Sequence, residues 1–138
     1  VCKCDDDGNP HVAFRYGKEG RIRHTRWQNG AWTDPVEITD TLNRQDGDMV
    51  VNSSDDIRVL MHGDYHDGGG EVAWWRSSEG GATWEKGEVA ISSDRLKYHM
   101  SAFVHDAHPD GQIVIYEIDP DAGNPLRKLF LWGENGFV

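Results

Sequence analysis

The segment Asp64-Tyr65-His66-Asp67, followed by Gly68, Gly69 and Gly70, sets a phenol next to an imidazole on a stretch of chain able to approach a ligand closely. An imidazole titrates near neutrality and a phenol held by a cation can deliver a proton, so the pair suits general acid–base work. The reaction it fits is abstraction of the proton beside a uronate carboxylate. That proton becomes acidic enough to remove only when the carboxylate charge is quenched, a task for Arg44 or Arg95. Tyr98 and His99 form a second phenol–imidazole neighbour pair. The catalytic candidates are therefore Tyr65, His66 and His99, and the substrate-binding candidates Arg44, Arg95 and Tyr98. A polar surface loop without a ligand accounts for the same residues equally well.

The elements that must position these residues follow from a repeat. Asp7-Gly8-Asn9-Pro10-His11-Val12-Ala13-Phe14, then Gly20 to Trp27, then Gly30-Ala31-Trp32 form one unit. Asp55 to Met61, Gly70 to Arg76 and Gly81-Ala82-Thr83-Trp84 form the second, and Asp110 to Tyr116, Leu126 to Trp132 and Gly136-Phe137-Val138 the third. Trp32, Trp84 and Val138 are equivalent, which sets a period of 52 to 54 residues and suits one four-stranded propeller blade. Each unit also carries an earlier apolar run. Innermost strands are expected at Val1 to Asp5, Asp48 to Ser53 and Tyr98 to His105. Second strands are expected near His11 to Gly17, Ile57 to Asp64 and Gln112 to Asp119, each after an Asp/Gly/Asn turn. The Trp-containing segments end the third strands, and Trp32 to Thr39 and Trp84 to Ile91 form the outermost ones by their alternation. The third unit lacks an outermost strand. No apolar i, i+3, i+4 stripe is long enough for a helix of several turns.

The expected fold is therefore all-β, a β-propeller fragment of about three four-stranded blades, the third incomplete, over approximately 1–43, 44–94 and 95–138. Propellers close with roughly four to eight blades, so three leave the ring open. Closure is expected to need missing blades or a second copy, and the sheet edges at Val1 to Asp5 and Leu126 to Trp132 would otherwise invite aggregation. In a propeller the loops that join second to third strands, and the connections between blades, gather at one mouth of the channel. Asp40, Arg44, Gln45, Asp46, Asp48, the Asp64–Asp67 segment, Arg95, Tyr98 and His99 belong to that mouth. His105, Asp106, His108 and Asp110 belong to the opposite end, where His108-Pro109-Asp110-Gly111 reads as a turn.

The octapeptide Ser77-Ser78-Glu79-Gly80-Gly81-Ala82-Thr83-Trp84 follows the pattern S-x-[DE]-x-G-x-T-W. An acidic side chain is expected to accept backbone N–H groups across a tight turn, Gly81 to take φ > 0, and Thr83 and Trp84 to start the next strand, with Trp84 plugging the space between strands. This pattern, carried by Ser77, Glu79, Gly81, Thr83 and Trp84, resembles the Asp-box or BNR repeat of sialidases and other carbohydrate-active propellers, with Glu79 where Asp is usual. The stretch Tyr98 to Asp110, with Arg127 to Gly136, is similar to the late blades of BNR-4-type proteins, which include secreted ulvan lyases. The resemblance implies a seven-bladed lyase that uses His and Tyr as base and acid and Arg as neutraliser. Most catalytic residues of such lyases come from earlier blades than those matched, so Tyr65, His66 and His99 are chosen by position.

Resemblance and residues together point to part of a secreted polysaccharide lyase that cleaves a uronate polymer such as ulvan by β-elimination, the piece alone being inactive. The location implied is extracellular or periplasmic. Two alternatives stay open: a sialidase-like glycoside hydrolase, which needs three Arg and a Tyr–Glu pair, and a non-catalytic propeller that binds glycan or protein. The chemistry requires no cofactor. Cys2 and Cys4 lie two apart, so both side chains face one way and cannot easily bridge each other; they are either half of a structural zinc site completed by His, as in some of the relatives, or two buried small residues. The run Asp5-Asp6-Asp7-Gly8 lacks the later ligands of a calcium loop and reads as a solvated turn.

Composition bounds the partners. With 14 basic and 24 acidic residues the formal charge is −10, which disfavours nucleic acid, and no basic stripe interrupts that balance. An anionic polysaccharide would then need Arg and Lys clustered locally at the mouth. Six Trp and four Tyr are assigned mostly to packing between blades, the rest to stacking on sugar rings. No apolar run approaches the ~20 residues of a membrane span.

Overall fold

Alternating apolar residues bounded by Gly, Asn and Asp turns produce an all-β chain in the computed structural model, which describes residues 1–18, 21–38, 45–62, 70–93, 98–103, 113–118, 127–133 and 136–137. Side chains are described for 1–18, 21–38, 47–61 and 73–87. Three antiparallel sheets follow one another in chain order. The first contains β1 (Cys2–Cys4), β2 (Pro10–Tyr16), β3 (Arg21–Gln28), β4 (Ala31–Trp32) and β5 (Val36–Glu37). The second is β6 (Gln45–Val51), β7 (Ile57–His62), β8 (Gly70–Ser77) and β9 (Glu85–Ser93), and the third β10 (Tyr98–Phe103), β11 (Ile113–Ile118), β12 (Arg127–Gly133) and β13 (Gly136–Phe137). The innermost strand β6 contacts β1 on one side and β10 on the other, so successive sheets fan out from neighbouring inner strands as propeller blades do.

Two expectations about outermost strands change. In the first sheet the expected single strand from Trp32 to Thr39 is split, because β4 pairs β3 through Trp27↔Trp32 whereas β5 pairs it through His24↔Val36 and Arg23↔Glu37. The register slips across the break, which contains Pro35, a residue with no N–H to give to a ladder. Thr33 stitches the break: its carbonyl accepts the Thr25 hydroxyl at 2.7 Å and its Oγ1 accepts the Arg26 N–H at 3.2 Å. In the third sheet a fourth strand is present as the short β13, paired through Trp132↔Phe137 and Gly133↔Gly136.

The core lies between the first two sheets. Ala13, Ile22 and Ile38 of the first sheet meet Met49, Val51, Ile57, Val59, Met61, Ala73 and Trp75 of the second, with Trp84 packed at the margin. Val50, Leu60 and Arg58, on the intervening positions of β6 and β7, are also buried, so the second sheet is covered on both faces. The first sheet is covered only on the face toward the second: His11, Ala13, Ile22 and His24 are buried, whereas Val12, Phe14 and Thr25 are half-buried. On that less covered face Trp27 and Trp32 meet edge to face at 5.6 Å and stay substantially exposed.

The Ser77–Trp84 turn differs from expectation in two respects, the first being that β9 starts at Glu85, just after Thr83 and Trp84. The side chain that collects backbone N–H groups is the Ser77 hydroxyl, which accepts from Glu79 at 3.2 Å and Gly81 at 2.8 Å. The Glu79 carboxylate instead accepts the Thr83 hydroxyl at 2.7 Å, within the same turn. Gly80 and Gly81 both take positive φ, and the Trp84 indole N–H donates back to the Gly81 carbonyl at 3.1 Å. Trp84 fills a gap between sheets, its edge against the His24 ring of the first sheet at 5.3 Å. Since Ser77 is buried, Ser77→Ala strands two N–H groups and is expected to cost about 1–2 kcal/mol, read as a lower urea midpoint with unchanged slope.

Candidate functional site

Strand register determines which chemistry-bearing segments share one end of the sheets. β2 ends and β3 starts at Tyr16↔Arg21, and β5 runs to Glu37 beside Arg23 at that same end. The chain then enters β6 at Gln45, whose partner is His62, the last residue of β7; β8 starts at Gly70 opposite Ser93, the last residue of β9. Tyr65 and His66 sit in sequence between His62 and Gly70, Arg44 just before Gln45, and Arg95 just after Ser93. These four residues lie outside the described residues. Tyr98 and His99 open β10, paired with Ile118 and Glu117, and their side chains also lie outside the described set. The Ser77–Trp84 turn starts at the last residue of β8, at the end of that strand opposite to Gly70.

One described cluster lies at the turn between β2 and β3. Tyr16, Gly17, Lys18, Arg21 and Arg23 line an open cleft of about 350 Å³. The Arg23 guanidinium carbon stands 4.3 Å from the centroid of the Tyr16 ring, and Arg23 Nε is buried without a hydrogen-bond partner. The Arg21 guanidinium donates to the Glu37 carboxylate at 2.8 and 3.2 Å, which fixes the wall of the cleft. Among the described residues no carboxylate lies within ion-pair distance of Lys18 or Arg23, and 55% of the Tyr16 surface is open to solvent. The expectation that no basic stripe interrupts the acidic chain is thereby corrected. Arg15, Lys18, Arg21, Arg23 and Arg26 fall within one short stretch against Glu19 alone, and the β2–β3 hairpin folds three of them around one aromatic ring. That run was the available signal; overall charge hid it.

A second cluster is buried. His11 Nδ1 and His24 Nε2 lie 3.1 Å apart, with the rings stacked at 5.3 Å, and His11 Nε2 faces Asp5 Oδ2 at 3.5 Å. The Asp5 carboxylate favours the proton of His11 on Nε2, which leaves Nδ1 to accept from His24. Burial is the largest influence on His24, and the neighbouring His11 and Arg26 add to it, lowering its pKa from 6.5 to about 3. Burial likewise lowers that of His11, partly opposed by Asp5. Burial alone would raise the Asp5 pKa, but hydrogen bonds from Asn9 and His11 outweigh it and the net direction is down. Both rings are sealed from solvent, and His24 carries the pair's contact with Trp84 beside the second sheet. The expectation of a solvated Asp5–Gly8 turn changes accordingly. Asp5 is buried, and its Oδ1 accepts the N–H groups of Asp7 at 3.1 Å and Asn9 at 2.7 Å.

Cys2 and Cys4 are both exposed, not buried, at the two ends of β1 and carry no disulfide. Among the described residues no group of three or more His, Cys, Asp or Glu is arranged to hold a metal ion, so the expected zinc has no described third ligand. Among the described residues, too, no helix is long and apolar enough to cross a membrane.

The fold is that of an all-β, propeller-like chain whose β2–β3 hairpin carries a cationic, aromatic cleft. No protein-family model matches it. The chain is 31% identical to an ulvan lyase of Nonlabens ulvanivorans, over 99% of this chain and 30% of that protein. It is also 31% identical to an ulvan lyase of type PL25 from Pseudoalteromonas sp. (strain PLSV), over 97% of this chain and 28% of that one. A solved structure of a PL25 ulvan lyase superposes with a TM-score of 0.73 at 25% identity, over 99% of this chain and 32% of that one; so does one bound to -[GlcA(1-4)Rha3S]-. The chain has an ulvan-lyase-like fold and spans about 30% of the length of the curated relatives it matches.

Proposed function

We propose that this chain is part of a secreted polysaccharide lyase, extracellular or periplasmic, that cleaves a uronate-containing polysaccharide such as ulvan by β-elimination. The observation that carries this reading is the similarity along 97–99% of the chain to three ulvan lyases. In it, the Ser77–Trp84 turn is an Asp-box, and the blades run approximately over 1–43, 44–94 and 95–138. The base removes the proton on the carbon beside the uronate carboxylate, the C–O bond one carbon further on breaks, a C=C bond forms between the two carbons, and the acid protonates the departing oxygen. Tyr65, His66 and His99 are the acid–base candidates. Arg44 or Arg95 disperses the charge that builds on the carboxylate.

The test is an elimination assay on ulvan with the full-length protein, following the ultraviolet absorbance of the new C=C bond conjugated with the carboxylate. His66→Ala is expected to lower kcat by about 100-fold or more if His66 transfers a proton. An unchanged rate removes His66 from the mechanism. Reducing ends released without the absorbance would identify a hydrolase, and binding without turnover a non-catalytic module.

A further inference from the structure

We infer that the contact between the Ser77–Trp84 turn and β3 is an acid-sensitive latch: protonation of the buried His11–His24 pair releases the turn from the first sheet while both sheets stay folded. This latch does not depend on the polysaccharide reading above.

The pair can hold the contact only while it is short of protons. His11 Nδ1 and His24 Nε2 stand 3.1 Å apart in rings that are 0% and 2% exposed. One of the two nitrogens must accept, so the hydrogen bond survives one added proton and not two, and even one leaves a charge sealed from water. Among the described residues the charged groups that bear on the pair are Asp5, 3.5 Å from His11 Nε2, and Arg26, which disfavours a proton on either ring. From the turn packed against His24, the Glu79 carboxylate is exposed and accepts the Thr83 hydroxyl at 2.7 Å. Asp5 thus offers a counter-charge to His11, whereas His24 has no described carboxylate beside it. Burial above all holds the His24 pKa at about 3, against 6.5 for the free side chain. Each pH unit below 6.5 therefore favours a state that lets water reach the ring by about tenfold.

The turn can move without losing its own structure. Its hydrogen bonds are made within the second sheet: Ser77 Oγ accepts from Glu79 and Gly81, the Trp84 indole donates to the Gly81 carbonyl, and the Gly80 N–H donates to the Asp55 carbonyl at 3.0 Å. Toward the first sheet stand the Trp84 edge on the His24 ring at 5.3 Å, the close approach of Gly81 to that ring, and the Arg26 guanidinium on the Ser54 carbonyl at 3.0 Å. Trp84 is half-buried at the margin of the core. The buried core beyond it, from Ile22 and Ala13 to Met49, Val59 and Trp75, is apolar and holds no group that titrates. Acid therefore acts at one margin of the seam, and the least costly way to hydrate a charged His24 is to lift the turn from it rather than to separate the core.

The experiment is hydroxyl-radical footprinting of the full-length protein at pH 7 and at about pH 4.5, read by peptide mass spectrometry, with far-UV circular dichroism alongside. Labelling of His24 and Trp84 is expected to rise in acid, by about twofold or more for the half-buried Trp84, and to return when neutral pH is restored. Trp75 and Met49, in the apolar part of the seam, are expected to stay protected, and the strand signal to persist. His24→Gln, neutral throughout, should abolish the acid-dependent rise at Trp84. His11→Gln, which removes the neighbouring imidazole and keeps a side chain able to donate or accept, should move the rise to lower pH. The wild-type pattern decides the matter even where a variant fails to fold. Trp84 labelling that does not change with acid, Trp84 and Trp75 exposed together as the strand signal is lost, or a rise that persists unaltered in both folded variants would overturn the inference.

Discussion

Gly81→Ala is expected to lower stability by about 3 kcal/mol or more, a large share of the ~5–15 kcal/mol typical of a domain. Two costs coincide at this position. Its φ of +90° lies where an L side chain is strained, at about 1–3 kcal/mol. A Cβ added there would also land on the imidazole of His24, and overpacking of that kind costs about 1–3 kcal/mol. The ring has no room to retreat, since His11 holds one side of it at 3.1 Å and the Trp84 edge stands at 5.3 Å on another. Gly8→Ala is the matched control. Gly8 has a similar φ of +81°, but a Cβ there meets nothing within 4 Å, so only the backbone cost of about 1–3 kcal/mol applies and the packing cost is absent. Urea unfolding of both variants measures the difference. Equal losses would show that His24 does not crowd the turn.

Acidification should produce the second large effect. A histidine whose folded pKa lies below its unfolded value leaves the unfolded chain the better proton binder. Its stabilising effect is therefore complete above about pH 6.5 and is lost as pH falls toward the folded value. For His24 that window runs from 6.5 down to about 3. At about 1.4 kcal/mol per pH unit for one proton, His24 alone accounts for a loss of about 3 kcal/mol between pH 7 and pH 4. Two protonated rings cannot share the 3.1 Å contact, because both nitrogens would then be donors. The lowered pKa of His11 pushes in the same direction over this range, whereas that of Asp5, lowered from 3.8, adds its loss only below about pH 4. Arg26, whose charge also disfavours protonation of His24, is anchored to the Ser54 carbonyl at 3.0 Å. The measurement is the urea midpoint across this range, followed by the fluorescence of the six Trp. His24→Gln should be less stable near neutrality and show a flatter dependence on pH. Midpoints of the wild type that do not move between pH 7 and pH 4 would rule out the neutral pair.

Much of this was legible before any coordinates. Ile57, Val59 and Met61 alternate with Arg58 and Leu60, and that spacing alone places a strand whose first three pack against the neighbouring sheet. The turn from Ser77 to Trp84 was legible because its residues interact within a few positions of one another, Ser77 with Gly81 and Glu79 with Thr83. The break at Pro35 was not read from the sequence, where one outermost strand was expected across it. The Tyr65–His66 candidate was readable as chemistry and as a position between two strands, but not as a geometry.

The sequence by itself determined the elements whose causes are local: strand alternation, turn residues with positive φ, the period near 53 residues set by Trp32, Trp84 and Val138, and hence an all-β propeller-like fold. Only the tertiary structure decided what met across strands and sheets. His11 and His24 are thirteen positions apart and touch because β2 and β3 pair in the register that sets Ala13 against His24. Trp84 reaches His24 only when the second sheet packs on the first, and Arg23 lies over Tyr16 only when the hairpin closes. The physical reason is one of range. Dihedral preferences and alternation act within a few residues of chain, whereas a buried imidazole pair and a cleft of like charges exist only where register and packing bring distant residues within contact distance.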